Sequence, residues 1–185
     1  MIDANELRKG TTFLLDGEPY EVLEYQHYKP GRGNAIIRTK IRNMRSGAII
    51  PKNFLNGNKF EEAPVERLAA QYLYTDGEQF HFMDSATYEG YHISRQAIGD
   101  KSGFLKDGME VALTIYGSEV LGLDLPATVE LEIVEAEVAV AGDTATGASK
   151  MVVCETGLKV QVPLFVNVGD VIRVDTSGGQ YQTRV

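Results

Sequence analysis

The sequence predicts an all-β protein built from three small barrels. Three observations carry this. Short β-rich runs recur along the chain, and the turn dipeptides Asp16-Gly17, Asp76-Gly77 and Asp107-Gly108 sit beside them. Long helical periodicity is scarce. Breaks near Ala63-Pro64 and near Pro126 divide the 185 residues into pieces 1–64, 65–127 and 128–185. Each piece holds about 60 residues, a size at which a lone barrel is marginal and leans on its neighbours. Hydrophobic residues make up 43% and charged residues 24%, which are globular values.

Taken in order, the first piece opens with ELRKG, read as one helical turn, and then two strands over 20–28 and 35–43 flank KPGRGN. The second strand alternates: Ala35, Ile37, Thr39 and Ile41 face one way, and Ile36, Arg38, Lys40 and Arg42 the other. One face is core and the other carries three cations. The second piece begins with a hairpin, QYLYTDGEQFHFMD, followed by TYEGYHIS, a short helix in RQAIGDKSGFL, and MEVALTIYGSEVLGLDLP. The third piece reads as VELEIVEAEV, a small-residue loop AGDTATGASK, and a tail of strand, turn, strand, turn, strand.

Charge is unevenly spread. The chain carries a net −8, yet residues 25–60 hold eight Lys/Arg and no Asp or Glu. The rest of the chain is therefore at −16 against +8 for this segment. Such segregation is either a solvated face or the footprint of a polyanion bound at one end. Within the segment, Pro30 stiffens the loop entry and Gly31 and Gly33 are free to take φ > 0. Arg32 is thereby held out at a hairpin tip. It is either a solvated turn arginine or a phosphate contact, and the basic strand beneath favours the second.

No catalytic constellation emerges. His27, His81 and His92 are scattered, each in a strand-like run, and read as packed or half-exposed strand residues. Cys154, the single cysteine, has no CxxC partner and reads as a small buried hydrophobe. A lone cysteine suits a reducing cytoplasm. Glu61-Glu62 and Asp84 do not declare a converging pair. Neither GxxxxGK[ST] nor GxGxxG is present. The tyrosines at 72, 74, 88 and 91 are candidate stacking platforms or core residues. No run of 18 apolar residues or secretory start pattern appears. The expectation is a cytoplasmic, non-enzymatic binding protein with no cofactor and no metal, one basic arm of which touches RNA.

The stretches KPGRGNA, KIRNMRSGA, QYLYTDGEQFHFMDSATYE, GDT at 142–144 and VPLFVNVGDVIRVDTSGGQYQTR resemble the elongation factor P family, bacterial relatives of the hypusine-bearing translation factor. The resemblance runs along nearly the whole chain. It implies an SH3-like (KOW) barrel over 1–64 and two OB-folds over 65–127 and 128–185, arranged in an L shape like transfer RNA. It also implies a monomer bound to the 70S ribosome between the P and E sites, in contact with P-site peptidyl-tRNA, ribosomal RNA and E-site ribosomal proteins, and not with a membrane. Such factors relieve stalling at consecutive prolines. On this resemblance Lys29, Pro30, Gly31, Arg32, Gly33 and Asn34 form the tip at the CCA end. Arg38, Lys40 and Arg42 form the RNA-binding basic strand. Gly142, Asp143 and Thr144 look towards the E-site codon and small subunit. Tyr181 and Arg184 approach the tRNA anticodon stem.

Arg32 stands where many relatives carry a modified lysine and others a rhamnosylated arginine. The KPGRGNA context is of the lysine type, so Arg32 is expected either unmodified or altered by an unnamed modifying enzyme. The chain also departs from its relatives at Leu55, at Val138 and Ala139, and at Met151 and Val152. Alternatives are the elongation factor P-like paralogue and a general OB-fold RNA-binding protein. The latter would bind single strands without ribosomes, with a log–log salt slope of roughly −0.7 per phosphate contact.

Overall fold

The computed structural model describes residues 1–138 and 148–185. The described chain is all-β apart from α1 (Arg95–Ile98) and two 3₁₀ turns, Ala4–Glu6 and Gly99–Phe104. It forms two compact units, Met1–Arg67 with Thr114–Gly122, and Leu68–Leu113 with Leu123–Val185.

In the first unit β1 (Ile2–Asp3) pairs with β6 (Lys59–Phe60). A four-stranded antiparallel sheet has the order β2 (Thr12–Leu15), β3 (Glu18–Tyr28), β4 (Ile36–Asn43) and β5 (Ile49–Leu55). Asp16 and Gly17 join β2 to β3 with φ of 53° and 78°. Two left-handed residues in succession match the right-handed twist of the flanking strands. The core gathers Ala4, Leu7, Phe13, Val22, Ile37, Ile41 and Phe54. Phe13 meets Phe54 edge-on at 5.9 Å, and Phe60 closes on both at 5.1 and 4.8 Å. Buried aromatic contacts of this kind contribute beyond their area.

The helical turn expected in ELRKG lies earlier, over Ala4–Glu6. Asp3 sets it there. Its carboxylate accepts from the Asn5 N–H at 3.0 Å, and Glu6 reaches back to the Asp3 N–H at 2.9 Å. That is a capping box, and Leu7 has already returned to extended backbone.

Two five-stranded antiparallel sheets follow. One has the order β11 (Glu119–Asp124), β10 (Glu110–Tyr116), β7 (Val65–Thr75), β8 (Gln79–Asp84) and β9 (Gly90–Ser94). The other has the order β14 (Lys159–Pro163), β13 (Ser149–Cys154), β12 (Thr128–Ala136), β15 (Val171–Asp175) and β16 (Tyr181–Arg184). On β12 the alternation is clean: Val129, Leu131 and Ile133 are buried while Glu130 and Glu132 face out. The tail holds four strands where three were expected. Asp175 makes the difference, because its carboxylate accepts from the Ser177 and Gly178 N–H groups and turns the chain between β15 and β16. No described helix is long and apolar enough to cross a membrane.

Candidate nucleic-acid interface

The β3–β4 hairpin positions the tip. The strands pair from Tyr20↔Asn43 out to Tyr28↔Ile36, leaving the seven residues from Lys29 to Ala35 as the loop. Ala35 is buried and roots the loop. Lys29, Gly31, Arg32, Gly33 and Asn34 are exposed and Pro30 is half-buried. Gly33 takes φ of 130°, whereas Gly31 does not use the left-handed region. Only the second glycine is thus required by the backbone. Arg32 has no ion-pair partner among the described residues. A charge with no intramolecular partner remains available to an external phosphate.

The basic strand follows the expected alternation. Ile37, Thr39 and Ile41 are buried, and Arg38, Lys40 and Arg42 are exposed. Their surroundings differ along the strand. Arg42 pairs with Glu21, its cross-strand neighbour. Lys40 Nζ lies 3.8 Å from Glu24 Oε1. Arg38, nearest the tip, faces Gln26 and lies over the Tyr28 ring at 4.5 Å. Arg45 is taken up further down, with Nη1 2.9 Å from Glu18 and Nε 3.2 Å from Glu119. These two carboxylates, with Glu18 foremost, raise the arginine's pKa. Positive charge therefore accumulates towards the tip: acid pairing ends at Glu24, and Arg38, Lys29 and Arg32 lie beyond it. A shallow groove of about 610 Å³ runs along this face, lined by Gln26, Arg38, Lys40, Pro51 and Asn53 among others.

Residue-by-residue reading missed these partners. The window without acids begins at Tyr25, one residue past Glu24, so Glu18, Glu21 and Glu24 fell outside it. Strand pairing would have found them. It also missed Arg8, which lies over Tyr25 at 5.1 Å and adds a stacked guanidinium beside His27.

The remaining site residues lie elsewhere. Gly142, Asp143 and Thr144 fall outside the described residues. Tyr181 and Arg184 are three apart, yet they share a face. Arg184 pairs with Ile172 and Tyr181 with Val174, and a register shift between them restores the phase. Tyr181 packs on the core of its sheet. The Arg184 guanidinium lies over Phe165 at 5.2 Å, and Asp170 is 3.8 Å away. Of the four tyrosines, Tyr72 is core, while Tyr74 is exposed and stacks on His81 at 4.6 Å. Among the described residues, no group of three or more His, Cys, Asp or Glu is arranged to hold a metal ion.

Three family models match the chain: an elongation factor P KOW-like domain over residues 3–62, an elongation factor P OB domain over 65–123, and an elongation factor P C-terminal domain over 129–184. Curated relatives named elongation factor P are similar along their full length. Those of Moorella thermoacetica and Pelotomaculum thermopropionicum are each 46% identical, and that of Thermoanaerobacter sp. is 47% identical. In all three, 100% of both chains is covered. Among solved structures, eukaryotic translation initiation factor 5A from Methanococcus jannaschii matches with a TM-score of 0.54 at 22% identity, covering 67% of this chain and 93% of that one. A translation initiation factor eif-5a family protein from Naegleria fowleri matches at 0.52 and 14% identity, covering 67% and 96%. These two likenesses concern the fold. With three domain models end to end and full-length relatives near 46% identity, the chain belongs to the elongation factor P family of translation factors.

Proposed function

We propose that the chain binds the ribosome between the P and E sites and speeds peptide-bond formation at consecutive prolines. On this reading the Lys29–Asn34 tip holds the CCA end of peptidyl-tRNA. The observation that carries it is the charge gradient on the β3–β4 hairpin, which ends at an exposed Arg32 with no ion-pair partner among the described residues. Proline fixes φ and attacks through a secondary nitrogen, so the reacting ends rest poorly aligned. Restoring near-attack geometry is worth up to about 7–11 kcal/mol in favourable cases. A positioning protein needs no acid, base or metal of its own. Arg38, Lys40 and Arg42 then follow the RNA backbone, Gly142–Thr144 face the E-site codon, and Tyr181 and Arg184 contact the anticodon stem.

Co-sedimentation with 70S ribosomes tests the placement. The protein should bind ribosomes carrying P-site peptidyl-tRNA with a vacant E site, and deacylated tRNA in the E site should displace it. Equal binding to bare oligoribonucleotides would favour a general RNA-binding protein. Arg32 is also the position at which a covalent extension would lengthen the tip. The intact mass of protein from its native host separates an unmodified arginine from one bearing a sugar-sized addition.

A further inference from the structure

A cleft of about 390 Å³ opens within the second unit, walled by β7, β8, α1, the segment 102–107 and the β13–β14 turn. Its lining sorts by what each polar group already holds. Thr75 Oγ1 donates to the Gln79 carbonyl at 2.9 Å, and Thr156 Oγ1 donates to the Gly103 carbonyl at 2.5 Å. Lys106 Nζ lies 3.2 Å from Glu155, so those two charges cancel.

What is left is one cation, one anion, the Tyr72 phenol and the Ser102 hydroxyl. The Tyr72 ring is core, but the residue also lines the cleft, and its hydroxyl, which has no protein partner among the described residues, is not sealed from solvent. Burial, and after it the Asp107 carboxylate, raise the phenol's pKa while Arg95 opposes them, and all three side chains line the same cleft. Arg95 fixes its guanidinium plane by donating from Nε to the Gly77 carbonyl at 2.5 Å and by lying over Phe80 at 5.3 Å. Its terminal nitrogens have no acceptor among the described residues. Phe80 and Leu105 supply apolar wall.

We propose that this cleft binds a small zwitterion, an L-α-amino acid with an apolar side chain. The carboxylate would meet Arg95, the ammonium Asp107, and the Tyr72 hydroxyl would bridge between them, with the side chain against Phe80 and Leu105. A ligand of either charge alone would leave the opposite protein charge unmatched. This proposal stands apart from the ribosomal reading and does not depend on it.

The test is an amide-resonance titration of the full chain with L-leucine, up to about 10 mM, a range that captures millimolar affinity. L-Leucinamide, which lacks the carboxylate, and 4-methylpentanoate, which lacks the ammonium, are the controls. The expected result is saturable shifts at residues 72, 95, 107 and 156. Both controls should bind about tenfold more weakly, as should leucine to Tyr72→Phe, the scale of one lost charge-assisted hydrogen bond. Asp107 is exposed, so Asp107→Asn spares the core. It should abolish the preference for leucine over 4-methylpentanoate, and it keeps the proposal testable if Tyr72→Phe misfolds. Absence of saturable shifts would overturn the proposal, because the cleft then holds only water. Equal binding of 4-methylpentanoate and leucine would also overturn it, as a plain anion site.

Discussion

Arg32 and Arg42 lie on the same hairpin with the same charge, but Arg42 already has Glu21, whereas Arg32 is exposed and has no ion-pair partner among the described residues. Similar local settings fix two other residues. Asp76 accepts from the Glu78 and Gln79 N–H groups and lies 3.2 Å from His81 Nε2. Those donors, Gln79 first, hold its pKa at about 2 instead of the usual 3.8. A carboxylate with a depressed folded pKa stabilises above its unfolded value and loses that as pH falls through the folded one. The β7–β8 turn should therefore keep this support above about pH 4 and lose it by about pH 2. Following the turn amides by NMR through this window checks it, and Asp76→Ala should flatten the acid response. An unchanged response in the variant would contradict the assignment. Cys154 is 1% exposed, and burial with Glu155 nearby pushes its thiol up to about 11. Iodoacetamide should leave it untouched in the native protein and alkylate it after unfolding. Arg32 was legible in the sequence because Pro30 and two glycines frame it. The partners of Arg42 and Lys40 were not, because they come from the facing strand.

Register shifts decide what each strand presents. Strict alternation would put Glu24 on the buried face with Val22, but a shift between them turns Glu24 outward to face Lys40. Another separates Tyr72, which faces Phe82 in the core, from Tyr74, which faces His81 on the surface. A third brings Tyr181 and Arg184 to one face. Each adds a residue to one strand and reverses the phase beyond it, which periodicity alone does not reveal. The alternating β4 and β12 were readable directly because the extra residue of the β3–β4 shift lies on β3, and the β12–β13 shift falls after Ile133, past the alternating run. The pairing on β3 and β4 makes a prediction. The double change Glu21→Gln with Glu24→Gln should free Arg42 and Lys40 and strengthen ribosome binding at low salt. The salt dependence should steepen by up to about 0.7–0.9 per freed cation that reaches a phosphate. Arg38→Ala should weaken binding more than Arg42→Ala, since Arg42 is already neutralised; the reverse order would argue against the gradient. The same hairpin depends on its core, so Phe13→Ala should cost about 3–5 kcal/mol. Denaturant unfolding measures this, with β2–β5 amides losing protection first.

At the scale of the whole molecule, a net charge of −8 is at odds with a coating of bare RNA, and it suits a protein that meets RNA at one basic end. The family was legible from long, idiosyncratic stretches, and three domain models and full-length relatives agree. The central claim is that the Arg32 tip aligns the peptidyl end for attack involving proline. The most direct measurement is synthesis of a Pro-Pro-Pro peptide in a reconstituted translation system lacking this factor class, with a proline-free template beside it. The wild-type chain should restore the proline peptide alone, and Arg32→Ala, folded by the same spectra, should fail to do so. Full rescue by Arg32→Ala, or equal stimulation of both templates, would contradict the account.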